Sequence, residues 1–216
     1  MDMSFSSVTI DHPFWYNWSL LLAVVFVFIG LPLARRNKYA LLVCSLPVAW
    51  SVVATTLTLS NVLAAMPFVR RPGGRAIAAG VAESLYPLLV AASVVAILAT
   101  AVTFTSRGSM SPRLSKAMEL PPLLFMTAVA LFDALVAANL LAGKYSQATL
   151  SVTRVVMWAA LAVLVASVAL VVLGARLGPM HGGTRQPFVV FALSNAGVAL
   201  ALLYAYRACW NAAMGS

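Results

Sequence analysis

Residues 76–104 read AIAAGVAESLYPLLVAASVVAILATAVTF, an apolar run in which Glu83 is the single charged residue. At about 1.5 Å per residue, a helix over this run reaches roughly 43 Å, enough to cover the hydrocarbon core of a bilayer and its headgroup layers. The run therefore predicts a membrane-spanning helix.

The composition of the whole chain agrees with this prediction. Hydrophobic residues make up 62% of the 216 residues and charged residues 9%, whereas soluble domains carry about 25% charged residues. Glycine, proline and basic clusters divide the chain into apolar runs separated by short connections. We predict an all-α, polytopic membrane protein whose residues 1–216 form a single membrane domain. Its six transmembrane helices are predicted at residues 14–34, 39–67, 76–105, 120–142, 150–174 and 188–206.

The positive charge of the chain is concentrated at the ends of these helices. The 14 Lys and Arg residues outnumber five acids, for a net charge of +9, and they include Arg35-Arg36 and Arg70-Arg71. Basic clusters at helix ends bind anionic lipid headgroups and set topology, so we expect a lipid bilayer as the partner and no nucleic acid. A small majority of basic residues favours an N-terminus outside the cytoplasm; the sequence does not identify the membrane.

No motif for metal, nucleotide or cofactor chemistry is present in the sequence. Cys44 and Cys209 fall in different apolar runs, and His12 and His181 lie at the margins of runs. Because metal centres need several such ligands close together, we expect neither a metal site nor a cofactor.

Glu83 and Pro87 concentrate polarity in one turn of the third helix. A carboxylate inside a bilayer costs several kcal/mol unless it is paired, protonated or directed at protein, about 3 kcal/mol on insertion scales. Proline has no N–H for the carbonyl four residues earlier, so the backbone oxygen of Glu83 is also freed. Two interpretations stay open: a functional acid or ion ligand, and a neutral side chain hydrogen-bonded across a helix interface.

Other polar residues are predicted at a similar depth, in the half of the membrane that holds the N-terminus. Asp133 and Arg154 fall on adjacent antiparallel helices and predict an ion pair, because two opposite buried charges neutralise each other at the lowest cost. The candidate ligand- or ion-binding residues are Glu83, Asp133, Arg154, Tyr86, Asn139, Thr55, Thr58 and Asn61.

Small residues indicate close helix contacts. Ala76, Gly80 and Ser84 recur every four residues, and Ser194, Asn195 and Gly197 form a second small and polar patch, which predicts interhelical packing. Partners in a homo-oligomer or in a membrane complex stay open.

Three functions fit these patterns. The first is a carrier or channel that handles a proton, ion or small solute through the buried polar groups. The second is a non-catalytic subunit of a larger membrane complex. The third is an intramembrane enzyme, such as an isomerase or cyclase, that acts on a lipophilic substrate with a carboxylic general acid.

Overall fold

The computed structural model describes residues 25–26, 28–37, 39–68, 74–105, 113–144, 146–176 and 186–214, with the side chains of residues 68, 105, 113–118 and 186–187 excluded. These residues are helical apart from short turns. Residues 14–24 of the first predicted helix, and most of three predicted connections, lie outside the described residues.

Six helices are described. The helix α1 covers residues 25–26 and 28–36, and the five that follow are α2 (Ala40–Ala65), α3 (Gly74–Thr105), α4 (Arg113–Leu141), α5 (Gln147–Arg176) and α6 (Gln186–Met214). A short 3-10 turn, Met66–Phe68, extends α2. By length and composition, α2 to α6 can each cross a membrane. The part of the chain that the structure describes is therefore all-helical and has five candidate membrane spans.

Two helices extend well beyond a predicted end. The helix α4 begins at Arg113, before the predicted start at 120, and continues through Pro121 and Pro122. A proline removes one backbone hydrogen bond and disturbs the preceding turn, but a helix can continue past it. The helix α6 continues past Arg207, whose side chain is exposed, because arginine is a good helix former and can extend its charge away from apolar surroundings.

The helix α2 lies at the centre of the bundle and contacts α3, α4 and α5. Its most apolar stretch is 61% buried inside the protein, against 11% for α6, which packs mainly along α3. A helix buried on most sides needs apolar residues all round, so the sequence of α2 shows no preferred face.

A tight turn joins α4 to α5. Gly143 has φ +70°, and the N–H groups of Gly143 and Lys144 donate to the carbonyls of Leu140 (2.9 Å) and Asn139 (2.8 Å). This is the Schellman end of a helix, which favours glycine at the left-handed position. Ser146 Oγ then accepts the backbone N–H of Thr149 and caps α5.

The turn between α1 and α2 is fixed against α5. Asn37 is buried, donates its amide to the Val171 carbonyl (2.7 Å) and accepts the N–H of Tyr39 (2.9 Å). Gly174 permits this contact, because a Cβ at Gly174 would overlap the Asn37 amide and lie 2.7 Å from the Tyr39 ring. The turn thereby sets the position of the α2 N-terminus.

Candidate functional site

An apolar cavity of about 560 Å³ lies between α2, α3 and α5, and Phe26 of α1 also contributes to its wall. Its volume falls within the range of small-molecule sites, roughly 300–1,000 Å³. The residues that line it are Phe26, Leu46, Pro47, Trp50, Ser51, Pro87, Val90, Ala91, Val94, Leu161, Leu164, Val165 and Val168.

Two prolines from neighbouring helices form part of the wall. Pro47 of α2 and Pro87 of α3 each lack an N–H, and the ring of each disfavours the straight helix on which close packing depends. Ser51 is the polar member of the wall, and its hydroxyl already donates to the Pro47 carbonyl at 2.9 Å. The cavity therefore offers a ligand almost no polar contact.

The cavity opens towards the outside of the bundle. Trp50 is 44% exposed and Val165 is 62% exposed, whereas Ala91 and Leu164 on the inner wall are buried. In a membrane the exposed rim faces acyl chains, so a lipophilic molecule can enter laterally without passing through water.

Beyond the cavity, Asp133 of α4 is sealed against α2. Its side chain is 0% exposed, Oδ2 lies 2.8 Å from Thr56 Oγ1, and Oδ1 is buried without a hydrogen-bond partner. Thr56 Oγ1 also lies 2.8 Å from the Val52 carbonyl, although a hydroxyl has one proton. The Thr56 hydroxyl can direct its proton at one of these two oxygens. Both contacts are therefore full hydrogen bonds when Thr56 donates to Val52 and a protonated Asp133 donates to Thr56. This geometry fits a neutral carboxylic acid.

The neighbouring Thr55 joins α2 to α3. Its hydroxyl donates to the Ser84 carbonyl at 2.9 Å, and the Ser84 hydroxyl donates to the Gly80 carbonyl at 2.8 Å. Ser84 lies three residues before Pro87, in the turn whose backbone bonding the proline disturbs. Hydroxyl groups of a neighbouring helix commonly satisfy such carbonyls in membranes. We call Thr55, Thr56, Ser84 and Asp133 the polar seam.

The predicted ion pair between Asp133 and Arg154 is wrong. Arg154 is exposed, while its neighbour Thr153 is the residue of α5 that faces the protein interior. One residue along a helix rotates a side chain by about 100°, which directs Arg154 away from α4. Asp133 is instead matched by a hydroxyl group.

Glu83 does not join the polar seam. Ser84 occupies the buried face of α3, and Glu83 is half-buried on the outward face. Tyr86 lies on the side of α3 nearest α6 and contacts Tyr206, with ring centroids 5.9 Å apart. The structure therefore separates the two acids of the predicted polar cluster.

The other candidates are also dispersed. Thr58 is half-buried and donates to the Ala54 carbonyl of its own helix at 2.8 Å. Asn61 is exposed, and Asn139 is half-buried at the end of α4. In the predicted packing patch on α6, Ser194 and Gly197 are exposed, and Asn195 donates to the Phe191 carbonyl of its own helix. The prediction that Ser194 and Gly197 pack against another helix is therefore wrong for the described chain.

Sequence reasoning missed the position of Glu119. Glu119 directly precedes the helix predicted at residues 120–142, but in the structure it lies in the second turn of α4, buried against the N-terminus of α2. Its carboxyl group accepts hydrogen bonds from the backbone N–H groups of Leu41 and Leu42, and its Oε1 has no partner. Free N–H groups at a helix start favour a carboxyl group. An acid beside an apolar run was a visible signal in the sequence. The sequence did not show that the groups bonded to Glu119 belong to α2.

Comparison with protein-family models, curated protein sequences and solved structures gave no match. In the part of the chain that the structure describes, no three His, Cys, Asp or Glu side chains come together in a way that could hold a metal ion.

Proposed function

We propose that this protein binds the hydrocarbon part of a lipophilic molecule in the cavity between α2, α3 and α5. The observation that carries the proposal is the wall itself: about 560 Å³ of space lined by aliphatic and aromatic side chains and two prolines. An apolar cavity of this kind excludes water and accepts apolar ligands.

Binding without chemistry is the form of this function that we favour. Glu83, Glu119 and Asp133 are absent from the cavity wall, and the one hydroxyl there, that of Ser51, is already bonded. A general acid must come within hydrogen-bond reach of the proton it transfers, so the absence of these acids from the wall favours binding over chemistry on the hydrocarbon part of the ligand. Lipid binding also suits a subunit of a larger complex.

The carrier interpretation stays a prediction. It requires polar groups that a solute can reach, and two of the candidates, Thr55 and Asp133, have no exposed surface. It gains support only if another conformation opens the polar seam.

We also infer that α1 completes a sixth span. Residues 14–24 continue the apolar sequence of α1 towards the N-terminus, beginning with Phe14, Trp15 and Tyr16. Aromatic residues are enriched where helices leave a membrane, so residues 14–36 have the length and the boundary of a span.

Tryptophan quenching tests the proposed cavity. Two single-tryptophan variants, retaining either Trp50 or Trp158, are reconstituted in phosphatidylcholine nanodiscs and titrated with bromohexadecane. Trp50 lines the cavity, whereas Trp158 is 64% exposed on α5 and lies outside it. We expect Trp50 quenching to saturate at low probe fraction and Trp158 quenching to rise in proportion to the probe.

Two double variants of α5 test whether the cavity causes the quenching: one pair blocks the cavity, and the other is its matched control. Val165→Phe/Val168→Phe adds two rings at the rim, and Val172→Phe/Leu173→Phe adds two rings to exposed positions of the same helix outside the cavity. The first pair should remove saturable quenching of Trp50 and the second should not. Proportional quenching of Trp50 in the unblocked protein would refute the proposal.

A further inference from the structure

One face of α3 joins the cavity to Glu83. Glu83, Pro87, Val90 and Val94 are spaced by four, three and four residues, so they follow one another along a single face of the helix. The last three line the cavity. Glu83 therefore lies four residues, roughly 6 Å of helix rise, beyond the cavity's edge at Pro87.

Glu83 has no counter-charge among the described residues. Its side chain is half-buried, and the two arginines placed nearest to it along the helices, Arg75 on α3 and Arg207 on α6, are exposed and form no ion pair with it. A carboxyl group at the edge of an apolar site attracts a cation, because little water is present to screen the charge.

Aromatic rings between α3 and α6 lie at a similar depth to Glu83, within about one helical turn. Tyr86, one turn after Glu83, contacts Tyr206, and Tyr206 stacks on Trp210 with ring centroids 6.1 Å apart and an angle of 16°. The core clusters that join Phe188 to Val102 and Cys209 to Ile77 show that α6 runs antiparallel to α3. Moving one turn from the Tyr86–Tyr206 contact therefore brings Trp210 level with Glu83. Aromatic faces stabilise organic cations.

We infer that the ligand is a lipophilic amine, whose chain occupies the cavity and whose ammonium group lies at Glu83. This inference rests on the proposed function, since it assigns the head of the molecule whose tail the cavity holds. The Glu83 carboxylate supplies a charge opposite to that of the ammonium group, and the aromatic rings that end at Trp210 supply faces that stabilise an organic cation. The apolar residues from Pro87 to Val94 contact the hydrocarbon chain.

Two probes that differ in charge test the inference. The protein used retains Trp50 as its single tryptophan and carries Trp210→Phe, so that an aromatic ring remains at position 210. In phosphatidylcholine nanodiscs it is titrated with a terminally brominated dodecyl-trimethylammonium and with the matching brominated dodecanol. Both chains reach Trp50, but only the ammonium head responds to Glu83. We expect the cation to bind at least about fivefold more tightly than the alcohol, as one carboxylate–cation contact permits.

Variants at Glu83 separate charge from shape. Glu83→Gln keeps the size of the side chain and should abolish the preference for the cation while leaving alcohol binding unchanged. Glu83→Asp keeps the charge and should retain most of the preference. An unchanged preference in Glu83→Gln, or equal binding of the two probes to the original protein, would overturn the inference and leave the cavity proposal intact. Failure of both probes to quench Trp50 saturably would overturn both.

Discussion

Two stretches of α2, little more than one helical turn apart, have opposite environments. Residues 46–51 contribute Leu46, Pro47, Trp50 and Ser51 to an apolar cavity that opens outwards, whereas Thr55 and Thr56 are sealed in hydrogen bonds to α3 and α4. The polar stretch holds the bundle together, and the apolar stretch leaves space within it. In α2, the polar side chains therefore make structural contacts between helices, and the apolar stretch lines the candidate site.

The largest expected effect comes from breaking the polar seam on one side. Thr56→Val leaves the buried Asp133 carboxyl without its hydrogen bond and should lower the free energy of unfolding by about 1–3 kcal/mol. Thermal unfolding in detergent measures the change. Adding Asp133→Leu should restore most of the loss, since the buried acid is then removed together with its partner; a double variant less stable than Thr56→Val would contradict the seam.

A change in the cavity should affect binding more than stability. Pro87→Ala restores a backbone N–H to α3, and alanine is better than proline inside a helix by about 3 kcal/mol in peptide hosts. We expect stability to be retained or raised, and saturable quenching of Trp50 by bromohexadecane to weaken several-fold as the helix straightens. Unchanged quenching would show that the proline does not shape the cavity.

The protonation state of Asp133 in the polar seam can be tested by substitution and by infrared spectroscopy. If Asp133 donates to Thr56, Asp133→Asn retains a donor and should cost less than about 1 kcal/mol, within the range of one hydrogen bond. Infrared difference spectra should show a carboxylic acid C=O band that this substitution removes. A carboxylate band lost in its place would mean that Thr56 donates to an ionised Asp133.

The smallest expected effect is at Arg154. Because this side chain is exposed and forms no ion pair with Asp133, Arg154→Gln should change the free energy of unfolding by no more than about 0.5 kcal/mol. Loss of a buried ion-pair partner would cost about 3–5 kcal/mol. A loss of stability of that size in the same unfolding measurement would support the Asp133–Arg154 ion pair and contradict the structure.

Hydropathy alone predicted the five helices that the structure shows to be long and apolar enough to cross a membrane, because length and apolar character suffice to identify a candidate span. Helix ends were harder where proline or arginine intervened. Pro121 and Pro122 are compatible both with a helix start and with a continuing helix, and Arg207 ends an apolar run without ending α6.

The candidate site could not be predicted from the sequence, because an evenly apolar helix does not show which face is inward. Thr153 and Arg154 are adjacent, yet only Thr153 is buried; Glu83 and Ser84 show the same contrast on α3. Of the predicted polar residues, Thr55 and Asp133 hold helices together, and none lines the cavity. The cavity wall combines Pro47 of α2 with Pro87 of α3, and no local sequence pattern shows that these two prolines line one space.

The most direct test of this account is a cryo-electron microscopy map of the protein in a lipid nanodisc, with a bound antibody fragment to aid alignment. We predict elongated density between Pro47, Pro87 and Leu164, with the Asp133 carboxyl held against Thr56 and excluded from that density. Side chains that close the gap, or a water-filled opening that reaches Asp133, would contradict the central claim that the apolar cavity is the site and the polar seam is structural.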